Sequence, residues 1–138
     1  MTINDVLNYN KAIMTIIDNI NNMPALVKFK MLGMCKQFEP IVSNFDSIRQ
    51  DKIRQYSNNK EDGSSGIIMP NKDDFENDDE YTKAVAEYED CIKKFTDDIK
   101  ELLNSEADIT VKKFKVDEIM NVGIPSEYLI SIYDLMEE

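Results

Sequence analysis

Six carboxylates stand in the eight positions of "DDFENDDE", residues 73–80: Asp73, Asp74, Glu76, Asp78, Asp79 and Glu80. Carboxylate oxygens are the ligands a hard cation such as calcium prefers. The stretch lacks the alternating Asp-x-Asp-x-Asp-Gly of a calcium loop and has no glutamate at a fixed distance beyond it. It therefore reads as a solvated helix start, where Asp and Glu complement the positive end of the dipole, and as a surface for a basic protein partner. The adjacent carboxylates Glu89 and Asp90, and Asp97 and Asp98, have the composition of an acid–base pair. They alternate with Lys93, Lys94 and Lys100 at spacings that allow ion pairs between neighbouring helical turns, which marks a solvated face.

Other chemistry is excluded more directly. The chain has no histidine, so the commonest general base, and the usual partner of a nucleophilic Ser or Cys, is missing. Cys35 and Cys91 form no CxxC and have no histidine to complete a zinc site; they read as small apolar residues beside a core. The four glycines, at 33, 63, 66 and 123, make no phosphate-binding loop. The expectation is a non-enzymatic protein with no cofactor and no metal.

The net charge of −11 is unevenly spread. Residues 1–57 carry seven basic and five acidic side chains, a net of +2, while residues 58–138 carry nine and twenty-two, a net of −13. An acidic surface of this kind does not favour a phosphate backbone, whose binding is driven by Lys and Arg releasing counterions, so no direct nucleic-acid partner is expected. A smaller basic patch, Arg49, Lys52 and Arg54 in "IRQDKIRQY", is expected to face the acidic start of a neighbouring helix or an acidic partner. No apolar run approaches the roughly 20 residues needed to span a bilayer, and no apolar leader follows a basic opening, so neither a membrane nor a signal peptide is expected.

The elements that must position these residues follow from periodicity. A length of 138 residues suits one domain with a modest core. Thr2, with Asp5 three positions on, caps a first helix over residues 1–22, whose apolar positions Ile3, Val6, Leu7, Ile13, Ile16, Ile17 and Ile20 recur at helical spacing. "NINNMP" ends it. Val27, Met31, Met34, Phe38, Ile41, Phe45 and Ile48 then step by 4 and 3, a coiled-coil seam, and Tyr81, Val85, Tyr88, Ile92, Phe95, Ile99 and Leu102 repeat it. The methionines on the first seam read as core filling. Two seams of equal length joined by a polar connection predict an antiparallel hairpin over 23–104, with Val27 near Leu102 and Ile48 near Tyr81. The loop, about 57–74, is expected to be flexible, with a mobile tip at 63–66. Pro40 interrupts the first seam, which implies either a kink in one long helix or a break with a restart at Pro40.

After "LLNSEAD" the period changes. "ITVKKFKV", 109–116, is β-branched and reads as a short strand or extended arm pairing with residues 67–69 or with another molecule. Its Lys112, Lys113 and Phe114 are candidate partner contacts. "VDEIMNVG" predicts one or two helical turns ended by Gly123. "PSEYLISIYDLMEE" predicts a terminal helix with Tyr128, Leu129, Ile132, Tyr133 and Met136 on one face.

The order and texture of "KFKMLGMCKQFEPIVSNFDSIRQDKIRQY", the acidic helix ending "LLNSEADITV" and the terminal "IPSEYLISIYDL" resemble a family of small uncharacterised helical proteins from tailed bacteriophages, including crAss-like phages. The resemblance covers most of the chain from about Lys28 onward and contains no catalytic signature, so no site residue is carried over. It implies a viral origin, expression in the host bacterial cytoplasm, and a virion-associated or accessory role.

These readings combine into one expectation. The fold is mostly α, a long antiparallel helical hairpin with an N-terminal packing helix and a small C-terminal strand-plus-helix appendage. The function is that of a non-enzymatic phage protein-interaction module in virion structure or assembly, with a possible homo-oligomer. The alternative is an acidic anti-defence inhibitor that binds a basic surface of a host protein.

Overall fold

The computed structural model describes residues 1–59 and 66–138. The expected mobile tip at 63–66 lies outside the described residues except for Gly66. The elements in chain order are α1 (Ile3–Asn19), α2 (Ala25–Gln55), a 3-10 turn (Lys72–Asp74), α3 (Asp78–Leu103), β1 (Phe114–Lys115), α4 (Val116–Met120), α5 (Ser126–Ser131), a second 3-10 turn (Tyr133–Leu135) and β2 (Met136–Glu137). The chain divides into two compact units, Met1–Ser43 with Ser105–Glu138, and Asn44–Asn104.

In the first unit, α1 starts where its sequence says it should. The Thr2 hydroxyl accepts the Asp5 N–H at 3.2 Å and the Asp5 carboxylate accepts the Thr2 N–H at 2.8 Å, a reciprocal capping box. Val6, Ile13 and Ile16 of α1 are buried, as are Val27, Met31, Met34 and Phe38 of α2, which keep the 4, 3, 4 steps of the expected seam. What answers this part of the seam differs from the expectation. It shares one apolar cluster with α1 and with Ala107, Phe114, Ile119, Ile124, Ile132 and Leu135. The C-terminal segment is thus a large share of the core. The expected neighbours Val27 and Leu102 fall in different units.

The expected strand shrinks to two residues, and its partner is neither 67–69 nor a second molecule. Phe114 and Lys115 pair in parallel with Met136 and Glu137. A parallel pair needs a crossover, and α4 and α5 supply it. Gly123 stands between them at φ +77°, a left-handed conformation that a side chain would strain. The terminal helix is also shorter than expected. It ends at Ser131, and Ile132 and Leu135 turn inward while Tyr133 is exposed and Met136 joins β2.

Pro40 lies inside α2, which runs unbroken from Ala25 to Gln55. Of the two sequence alternatives, the continuous helix is the one observed. Pro40 is exposed, on the face opposite Val27, Met31, Met34 and Phe38, so its ring crowds no core residue. Its missing N–H still leaves the Lys36 carbonyl without a helical partner. Pro40→Ala is therefore expected to stabilise the protein by about 1–3 kcal/mol, read as a higher urea midpoint. A lower midpoint would show that the packing requires the proline geometry.

In the second unit, the Asn77 side chain caps α3 by accepting the Glu80 N–H at 2.9 Å. The α3 seam residues Tyr81, Val85, Tyr88, Ile92, Phe95, Ile99 and Leu102 all point to one side and are all half-buried, while Ile48 of α2 is exposed. The hairpin register differs from the expectation. By that expectation Lys52 faced residue 77; it meets Asp98 instead, with the Lys52 ammonium 3.1 Å from the carboxylate. The difference is twenty-one positions, three heptads. A 4-3 repeat slid by whole heptads stays in phase, so the pattern specifies which faces meet but not the register. The first turns of α3 consequently pack against the segment that follows α2, where Phe75 meets Tyr81 edge to face with ring centroids 5.8 Å apart.

Candidate functional site

The segment after α2 is held by two side chains. Asn58 spans ten residues to clamp the backbone of Ile68: its amide donates to the Ile68 carbonyl at 2.8 Å and accepts the Ile68 N–H at 2.8 Å. One side chain thereby satisfies both main-chain groups of Ile68, as a neighbouring strand would. The Ser57 hydroxyl accepts the N–H groups of Asn59 and Gly66, at 3.2 and 3.0 Å. It lies 2.7 and 2.8 Å from the carbonyl oxygens of the same two residues, one of which takes its single proton at a time. These bonds reinforce an antiparallel bridge between Asn59 and Gly66.

The result is an apolar strip along an open groove of about 880 Å³ between this segment and α3, with Ile68 and Met69 exposed and Pro70 half-buried. Asp74 and Phe75 line the same groove, with Ala84 and Glu87 on its α3 side. The expected acidic residues gather at one end. Asp73 and Asp74 are in the 3-10 turn, where the Asn71 side chain accepts the Asp73 N–H at 3.1 Å, and Asp78, Asp79 and Glu80 form the first turn of α3. Glu76 lies between them, and all six are exposed. Among the described residues, no three carboxylate or thiol groups converge as metal ligands would.

The basic patch does not face this acidic end. Arg49 pairs with Asp46 at 3.7 Å and Arg54 with Asp51 at 2.8 Å, both one turn away on their own helix. Lys52 reaches Asp98 near the other end of α3. The Tyr56 hydroxyl donates to the same carboxylate at 2.6 Å. The hydrogen bonds from Tyr56 and then Lys52 hold the Asp98 carboxyl below its ordinary value of 3.8, while that same carboxylate raises Lys52 and Tyr56 above 10.5 and 10.0. The depressed acid stabilises the fold above pH 4, and that contribution is lost as pH falls through its folded value. The raised phenol and ammonium contribute below pH 10, and theirs is lost as pH rises. A thermal midpoint that is flat between about pH 5 and 9 and falls on both sides is expected. Asp98→Asn should lower the plateau and soften both edges, as differential scanning fluorimetry against pH would show.

In the first unit, Lys112 and Lys113 are exposed as a partner contact requires, but Phe114 is fully buried and cannot serve as one. Two apolar residues either side of paired lysines look alike in sequence; only the pairing with β2 decides which turns inward. Lys115 pairs with Glu137 across the strands at 2.9 Å. Glu118 joins Lys30 of α2 and also accepts the Lys115 N–H at 3.1 Å. The hydrogen bond from Lys30, with that of the Lys115 backbone, keeps the Glu118 carboxyl below its ordinary range. Burial raises the Cys35 thiol, which disfavours the nucleophilic thiolate.

A second surface was missed by the seam reading. Leu26, Phe29, Leu32 and Gly33 stand on the face of α2 opposite its buried residues, and all four are exposed. The stripe was legible, since a helical wheel places these residues together, but assigning one apolar face to the helix hid the other. Lys28 and Lys36 flank it, both exposed, and no carboxylate stands in the first turn to offset the positive end of the dipole. Among the described residues no helix is long and apolar enough to cross a membrane. Comparison with known families, with curated proteins and with solved structures finds no match to this chain.

Proposed function

We propose that this chain is a non-enzymatic protein-interaction module, a virion structural or assembly accessory protein of a tailed bacteriophage, made in the host cytoplasm and carried in the particle or left beside it. The observation that carries the interaction reading is the apolar strip Ile68, Met69 and Pro70, pinned outward by Asn58 and Ser57 next to six carboxylates. Ordering a strip before it meets a partner lowers the entropic cost of docking, and the carboxylates gathered at one end of the groove favour a basic partner. The phage context rests on the resemblance in the sequence. A second reading, an acidic inhibitor of a host defence protein, is supported by the concentration of carboxylates in residues 58–138.

A photo-crosslinking amino acid at position 69, in infected cells, tests both. Discrete adducts with a virion protein, absent when the crosslinker is moved to the solvated α3 position 93, are the expected result. Adducts with a host protein alone would favour the inhibitor. No adduct specific to position 69 would overturn the assignment of this surface.

A further inference from the structure

Among the described residues, each of the two units carries an exposed apolar surface, and the two differ in the sign of the charge around them. On α2, Leu26, Phe29 and Leu32 are 63%, 75% and 49% exposed, flanked by Lys28 and Lys36. In the second unit, Ile68 and Met69 are 48% and 64% exposed, beside a groove of about 880 Å³. Residues 66–89 hold two basic and eight acidic side chains, a net of −6. The first surface is a convex apolar ridge with basic flanks, and the second is an acidic groove with an apolar wall.

We propose that the α2 ridge of one copy docks in the Ile68–Met69 groove of a second copy, so that the chain self-associates head to tail. This rests on the interaction reading above and names its occupant. Charge complementarity selects the pairing: ridge on ridge would bring lysines together, and groove on groove would oppose two carboxylate clusters. Gly33, whose added Cβ would meet no atom within 4 Å, leaves the ridge a shallow spot for close approach. The exposed side chains of Leu26, Phe29 and Leu32 offer on the order of 400 Å², about half of the roughly 800 Å² that each side of a standard interface supplies. The association is therefore weak and concentration-dependent. A two-fold pair in which each ridge fills the other copy's groove satisfies this contact, and so does a ring or an open chain of copies.

Two charge-reversing variants at exposed positions separate this arrangement from its rivals. Phe29→Glu places a carboxylate on the ridge and Met69→Lys places an ammonium in the groove. Sedimentation velocity on the purified full chain should show wild type forming dimers or larger species as concentration rises, with association weakened at high salt. Each variant alone should associate at least tenfold more weakly, with an unchanged circular dichroism spectrum. Mixed in equal amounts, they should recover a heterodimer, because Met69→Lys keeps an intact ridge and Phe29→Glu an intact groove. Failure of the mixture to recover a dimer, or association of Met69→Lys as strong as wild type, would overturn the head-to-tail contact. So would a wild type that stays monomeric up to millimolar concentration. The crosslinking from position 69 would still decide the broader reading, since adducts with a different protein need no self-association.

Discussion

Phe38→Ala is expected to remove about 3–5 kcal/mol of stability, enough to threaten folding at physiological temperature. The ring is fully buried, in the cluster that also takes Val6, Ile13 and Ile16 from α1 and Phe114, Ile119 and Leu135 from the C-terminal segment. Removing it forfeits the transfer of its apolar surface and leaves a cavity that three separate chain segments would have to shift to fill. Phe29, nine residues earlier on the same helix, is the internal control. It is largely exposed, so Phe29→Ala should change stability by no more than about 0.5 kcal/mol in either direction. Urea unfolding followed by circular dichroism compares the two. Equal losses would mean that the helix presents its faces the other way round.

Leu135→Ala is expected to cost about 2–5 kcal/mol although only three residues follow it in the sequence. Terminal residues usually tolerate change because they bury little. Leu135 is fully buried, and its N–H is bonded to the Ile132 carbonyl at 2.9 Å in the turn that carries the chain into β2. Loss of this side chain should loosen the β1–β2 pair, so the amides of Lys115 and Glu137 should lose exchange protection together. Tyr133→Ala, two residues away and exposed, should leave both stability and protection nearly unchanged. A small effect from Leu135→Ala would show that the strand pair holds without this anchor.

The contrast between these residues marks how far the sequence could be read. Local signals were sound: Thr2 and Asp5 cap α1, the 4-3 steps from Val27 to Phe38 mark a buried face, and Gly123 ends a helical segment. Pairings between distant segments were not legible. Heptads are unchanged by a slide of seven, so the sequence allowed the register in which Ile48 meets Tyr81 as readily as the one in which Lys52 meets Asp98. The burial of Phe114 depends on a partner strand twenty-two positions away, and no periodicity encodes that. At the candidate surface the carboxylates were visible as composition, but the strip beside them was not. Its display depends on Asn58 meeting Ile68, a bond between two residues that are individually unremarkable in a polar loop.

Among the described residues, all thirteen buried apolar side chains belong to the unit formed by Met1–Ser43 and Ser105–Glu138, and none to Asn44–Asn104. Helix α2 runs through both. Amide exchange depends on the free energy of the opening that exposes each hydrogen bond, and openings are cheapest where the least apolar surface must be rehydrated. One uninterrupted helix therefore has two clocks. Its amides up to about residue 43 are expected to exchange only when the well-buried cluster comes apart, and those beyond to exchange faster, which hydrogen exchange along the helix would check. The surface at Ile68 and Met69 belongs to the unit with the smaller buried apolar share, so its amides are expected to exchange faster than those around Phe38.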